Sequence, residues 1–280
     1  MATTASHSTS SSYSGPNQWA LSLLRRAEPL ARVAASRAIV GRNRSRTDSR
    51  AGRFTQRDVA AFVRDAFERF ESLVPELPSE PTVGSRQNVM LAALTLSLSD
   101  VFEQAGVERG YAIELTGDTC WRFYRHWGRI TATFTKLMSR DPTRRLRLSV
   151  NAFLTYPFGR PGYRFDDVVE DNGRSLDMRR CPVADFLGQR NAADLCAGSW
   201  CNLDYALAEM WGARLERTST LVAGASCCDF RFLALGPSEV AEARHLAPSA
   251  STTTEVTLTS HRQSGRIRAA SPDLSEMRTQ

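Results

Sequence analysis

From Thr55 onward the apolar positions recur at helical spacing. Ala60, Phe62, Val63, Ala66, Phe67 and Phe70 predict a helix over 56–73. Thr55 with Asp58 three residues on has the form of a capping box, in which a side-chain oxygen satisfies an orphan amide. Pro75 and Pro78 end the helix, since proline cannot continue the hydrogen-bond ladder. A second helix is expected over 86–105, rich in Leu and Ala and closed by Gly106. A third, over 110–139, carries Trp121, Tyr124, Trp127 and Phe134, with a break at Gly117. Upstream, Trp19, Leu23, Leu24, Ala27, Leu30 and Ala34 predict an amphipathic basic helix over 19–40, kinked at Pro29.

From Arg145 the period reads as two. Leu146, Leu148 and Val150 alternate with Arg147, Ser149 and Asn151, the pattern of a half-buried strand. Tyr156–Phe165 is a Gly/Pro corner. Strands 164–170 and 174–180 flank Asp171-Asn172-Gly173, where Asn-Gly suits the positive φ angles of a type I′ hairpin turn. Short helices follow at 182–189 and 202–211. Strands 214–221 and 227–235 then meet across Ala223-Gly224-Ala225. The fold class is α+β: N-terminal helices, then an antiparallel sheet with inserted helices.

Composition adds boundaries. Residues 1–18 are Ser/Thr-rich and residues 1–53 hold nine arginines against Glu28 and Asp48. The division that follows is a disordered basic arm (1–53), a single α+β domain (54–236) and a disordered tail (237–280). The net charge of +6 belongs to the arm; the central part is near neutral, so a nucleic-acid partner is not expected for the core. No stretch reaches the ~20 apolar residues of a membrane span. With no secretory signal, the six cysteines read as reduced thiols in a cytoplasmic setting. The Arg- and Ser-rich N-terminus leaves organelle targeting as the alternative.

The chemistry concentrates in Cys181–Phe232, which holds five of the six cysteines and no histidine. Triad catalysis is therefore disfavoured, and neither a phosphate loop nor a dinucleotide fingerprint is present. In helix 202–211, Cys201, Asp204, Tyr205 and Ala208 share one face. A thiol at a helix N-terminus has a lowered pKa and sits there beside a carboxylate base. In the last strand Cys228, Phe230 and Phe232 share a face opposite Asp229 and Arg231, which are expected to pair. The alternatives are that these cysteines are packed hydrophobes, or that Cys181, Cys201, Glu216 and Cys228 bind zinc. No other cofactor is indicated.

The segments CPVADF, CNLDYALAE and LERTSTLVAGASCCDFRF resemble the L-2-amino-thiazoline-4-carboxylic acid hydrolase family. The matching positions include Arg180, Cys181, Asp185, Phe186, Cys201, Asp204, Glu209, Arg217, Cys228, Asp229 and Arg231; Cys196 and Cys227 fall outside the pattern. The Gly…Cys-x-Phe ending is also similar to 4-vinyl-reductase-type small-molecule-binding domains, some of which hold zinc. The resemblance implies ring-opening hydrolysis of a cyclic amidine or thioimidate, with N-carbamoyl-L-cysteine as the named product. It implies Cys201, Asp204 and Cys228 as catalytic residues, and Arg217, Arg231, Cys181 and Glu209 as substrate-binding ones. The alternative is a non-catalytic small-molecule- or zinc-binding module of the same fold. The partner is a small molecule in either case, and a homo-oligomer stays open.

Overall fold

The computed structural model describes residues 18–236. The predictions for 1–17 and for the 237–280 tail lie outside them. Helices α1 (Gln18–Ile39), α2 (Gln56–Leu73), α3 (Val83–Gln104) and α4 (Arg109–Met138) form a bundle. The Thr55–Asp58 capping box of α2 is present, and Gly106 follows α3 at a φ of +81°. Gly117 does not break α4, which runs through it as one 30-residue helix.

The N-terminal arm needs correction from residue 18 onward. Helix α1 contains Pro29 and lays Ala34, Ala35, Ala38 and Ile39 into the bundle, all buried. Small residues on that face allow close approach to α2 and α4. The segment that follows is tied down as well: Asn43 bridges to Arg53, and Arg42 Nη2 lies 2.7 Å from Asp118 Oδ2. Its arginines thus serve carboxylates that α4 buries, Glu114 among them.

The expected strand at 145 is a helix, α5 (Pro142–Thr155). Asp141 accepts from the Arg144 amide at 2.9 Å, and Pro142 opens the first turn. The buried positions are Leu146, Ser149, Val150 and Phe153, a helical set. Leu146 and Val150 satisfy both periods, and the Asp-Pro start is the signal that separates them.

The sheet is four antiparallel strands in the order β1-β2-β4-β3: β1 (Arg164–Val168), β2 (Gly173–Arg180), β3 (Ala213–Glu216) and β4 (Cys228–Ala234). The β1–β2 hairpin forms, but without a type I′ turn, since neither Asn172 nor Gly173 has positive φ. Gly173 instead opens β2, where a Cβ would run into the Phe232 carbonyl of β4. Strand β3 is shorter than expected, stopping at Glu216. Leu221–Ala223 is a 3-10 turn. Helices α6 (Pro182–Gly188), α7 (Ala193–Gly198) and α8 (Trp200–Met210) stand between β2 and β3; α7 is the one the pattern missed.

Helices α5 and α8 cover one face of the sheet. Leu176, Met178, Cys228 and Phe232 point into the core they share with Phe153 and Trp211. A second core joins α3 and α4 to α6–α8. On the other sheet face Asp166, Asp177 and Asp229 stand directly opposite one another across β1, β2 and β4. Like charges in that position repel. Arg179 Nε donates to Asp166 at 2.8 Å and Arg231 Nη2 to Asp177 at 2.9 Å, which offsets the repulsion.

Candidate active site

A cavity of about 100 Å³ lies where the helical layer meets the sheet. Its wall is mainly aromatic and aliphatic, including Phe153, Phe158, Trp211, Phe230 and Phe232. An apolar cavity of about 150 Å³ admits benzene, so this smaller space suits a compact ligand with no bulky substituent. Cys181, Cys196, Cys201 and Cys228 all line it, with Asp204 and Arg217 as the charged pair. Three elements bring them together: the end of β2, the α7–α8 corner, and the β3–β4 connection.

Cys201 sits in the first turn of α8. Its thiol is lowered first by the neighbouring Cys196 thiol; burial opposes this and Arg217 assists. Cys196 is raised by the same contact and by its burial. The pair spans the junction of α7 and α8, a contact that required α7 to exist. Asp204 lies one turn on, on the same helix face. Burial lifts its carboxyl to about 6 against the pull of Arg217.

Arg217 follows β3 directly and turns inward. Its Nη1 donates to Asp204 Oδ2 and its Nη2 to the Cys201 carbonyl, both at 2.9 Å. The guanidinium also lies 5.0 Å from the Tyr205 ring centroid and 5.1 Å from that of Phe230. Cys228 accepts from the Leu221 amide at 3.2 Å, and burial pushes its thiol up to about 12. Cys181 is raised by burial too. Both are neutral thiols at ordinary pH.

Three sequence-predicted residues are elsewhere. Arg231 is on the outer sheet face, bound to Asp177 and to the Leu176 carbonyl, so it is no substrate clamp for this cavity. It does not pair with Asp229 either. Burial works against that carboxylate's charge, but amide and hydroxyl donors from Thr218 and Ser219 hold it well below the usual range. Glu209 is exposed on α8 and is not part of the cavity wall. Glu216 is exposed as well, 3.2 Å from Arg214. The four-residue zinc set therefore does not assemble, and no cluster of three potential ligands occurs among the described residues.

Sequence reasoning missed the polar side of the cavity. Tyr124 of α4 and Tyr163 of the Gly/Pro corner both line it. Asn88 of α3, fully buried, joins them: its Nδ2 donates to the Tyr163 hydroxyl at 2.8 Å, and its Oδ1 accepts from the Tyr124 hydroxyl at 3.0 Å. The three lie far apart in the chain, and only folding brings them together. Behind Cys181, Arg180 makes a two-pronged ion pair with buried Glu80, at 2.7 and 3.0 Å. That pair holds the end of β2 against the loop before α3.

Residues 129–232 match the family model described as L-2-amino-thiazoline-4-carboxylic acid hydrolase. This stretch is similar to that family. It runs from the middle of α4 to β4 and covers a little over a third of the chain. It contains Cys181, Cys196, Cys201, Asp204, Arg217 and Cys228, whereas Asn88 and Tyr124 lie outside it. The resemblance read from the cysteine-rich block is thus borne out. Comparison with curated proteins and with solved structures found no significant match. No helix among the described residues is long and apolar enough to cross a membrane.

Proposed function

We propose that this chain is a hydrolase that opens a small cyclic amidine or thioimidate ring of the thiazoline type. One observation carries the reading. Within the family-matched stretch, a thiol with lowered pKa stands beside a carboxylate at about 6 and a buried guanidinium, on the wall of a cavity of about 100 Å³.

In this reading Cys201 is the nucleophile. Its thiolate adds to the ring carbon that bears both sulfur and nitrogen. The carbon–sulfur ring bond then breaks, and the departing sulfur takes the proton of neutral Cys228. Water next adds to the same carbon, giving its proton to Asp204 as general base. The carbon–Cys201 bond breaks, the thiolate is restored, and the product is a urea with a free thiol. One water is consumed, and the proton on Asp204 returns through solvent to Cys228. Arg217 keeps Asp204 ionised and holds positive charge near the thiolate. The free thiols suit a reducing compartment such as the cytoplasm.

The test is turnover of 2-amino-thiazoline rings by the full chain, followed by thiol release. Cys201→Ser should lower kcat by at least 10²-fold, and wild-type turnover in that variant would remove Cys201 from the mechanism. Saturable ring binding with no thiol release would favour a binding module instead.

A further inference from the structure

We propose that the outer face of α4 is a homodimer seam, which docks on the same face of a second copy of the chain. The inference is independent of how the cavity is used, since none of the seam residues lines it.

The last turns of α4 are inside out. Their inner face is made of small residues: Gly128, Ala132 and Thr135 are all buried. A Cβ on Gly128 would meet Leu207 and Met210 of α8 at 2.7 and 2.9 Å, and Thr135 Oγ1 lies 3.2 Å from Ser149 Oγ of α5. The large apolar side chains face the other way. Trp127 (53%), Ile130 (65%), Phe134 (61%), Leu137 (83%) and Met138 (53%) are exposed. A helix whose outer side meets only water is polar on that side. A contiguous apolar patch there marks a surface that binds something.

The spacing says what kind of surface it fits. Trp127, Ile130, Phe134 and Leu137 lie 3, 4 and 3 residues apart, the seam of a helix pair. His126, Thr131 and Thr133 flank it. Arg129 and Lys136 project from another side of the helix, so their charges do not meet across the seam. The seam is also self-complementary. A two-fold axis across α4 sets Trp127 of one copy against Leu137 of the other, and Ile130 against Phe134, so each aromatic ring meets an aliphatic side chain.

Area favours the same occupant. At about 200 Å² for each large residue, the exposed fractions amount to roughly 600 Å² per copy. Two copies bury roughly 1,200 Å², the lower end of a stable interface. The chain's own ends match the seam less well. Residues 1–17 are more than half Ser and Thr, and in 237–280 no four large apolar residues follow the 3, 4, 3 spacing.

Sedimentation of the full chain at micromolar concentration should give a dimer mass. Phe134→Glu with Leu137→Glu should weaken the dimer at least a hundredfold, and Ile130→Arg should do the same from a separate position. Circular dichroism checks that both variants fold. Arg129→Glu should leave the dimer intact. A monomeric wild-type chain overturns the inference. In such a monomer, resistance of Trp127 and Met138 to oxidative labelling would make one of the chain's own ends the occupant. A dimer that survives both seam variants also overturns it, by placing the interface on another face.

Discussion

Arg217 Nη1 lies 2.9 Å from Asp204 Oδ2, with the arginine side chain 1% exposed. The pair couples the β3–β4 connection to α8 and sets the charge of the cavity wall. Burial alone would favour a neutral carboxyl, and the guanidinium pulls the other way, leaving Asp204 at about 6. A general base must be ionised, so turnover should fall as pH drops through about 6. Asp204→Asn should lower kcat/KM by about 10²-fold and abolish that limb of the pH profile. A limb that persists in the variant would assign it to another group.

Cys196 is predicted to control the reactivity of Cys201. Removing the neighbouring thiol should raise the Cys201 thiol pKa and leave less thiolate at neutral pH. Alkylation of Cys201 by iodoacetamide, read by peptide mass spectrometry at pH 7, should be several-fold slower in Cys196→Ala. Equal rates would show that the helix and Arg217 suffice.

Asp229 should govern acid stability. Its folded pKa lies below the unfolded value of about 3.9, so its stabilisation is complete above that pH and is lost as pH falls toward the folded value. Asp229→Asn should therefore be less stable than wild type at pH 7. The gap in urea midpoint should narrow steadily below pH 4. A constant gap would mean that shape, and not charge, holds Thr218 and Ser219.

The helical register of α5 has its own test. Leu146 is fully buried, whereas Leu148 is only partly so. Leu146→Ala should cost about 2–5 kcal/mol by urea unfolding, and Leu148→Ala much less. Equal costs would fit the alternating strand pattern instead.

Much of the fold was legible. The α2 capping box, the Gly106 stop and the alternation of Cys228, Phe230 and Phe232 depend on neighbours within a few residues, which is what periodicity records. Helix α1 was assigned to the disordered arm, because its arginines mask an alanine face whose partner is α4. Helix α5 was misread because Leu146 and Val150 fit two periods; the Asp141-Pro142 start separates them, and the burial of Ser149 and Phe153 agrees with the helix. Glu209 and Arg231 lie in the stretch similar to the family, but a sequence resemblance does not say which way a side chain faces.

The chain alone determined which chemistry is available: thiols, a carboxylate and an arginine in one block, without histidine, in a pattern shared with a hydrolase family. It also determined that Cys201 and Asp204 share a helix face, since helical geometry is local. Only the tertiary structure decided that Cys181, Cys196 and Cys228 join them, that Arg217 turns in while Arg231 turns out, and that Asn88 ties two tyrosines to the same cavity. Those outcomes depend on contacts between residues distant in sequence, where packing and charge compensation select one arrangement among many that the local pattern permits.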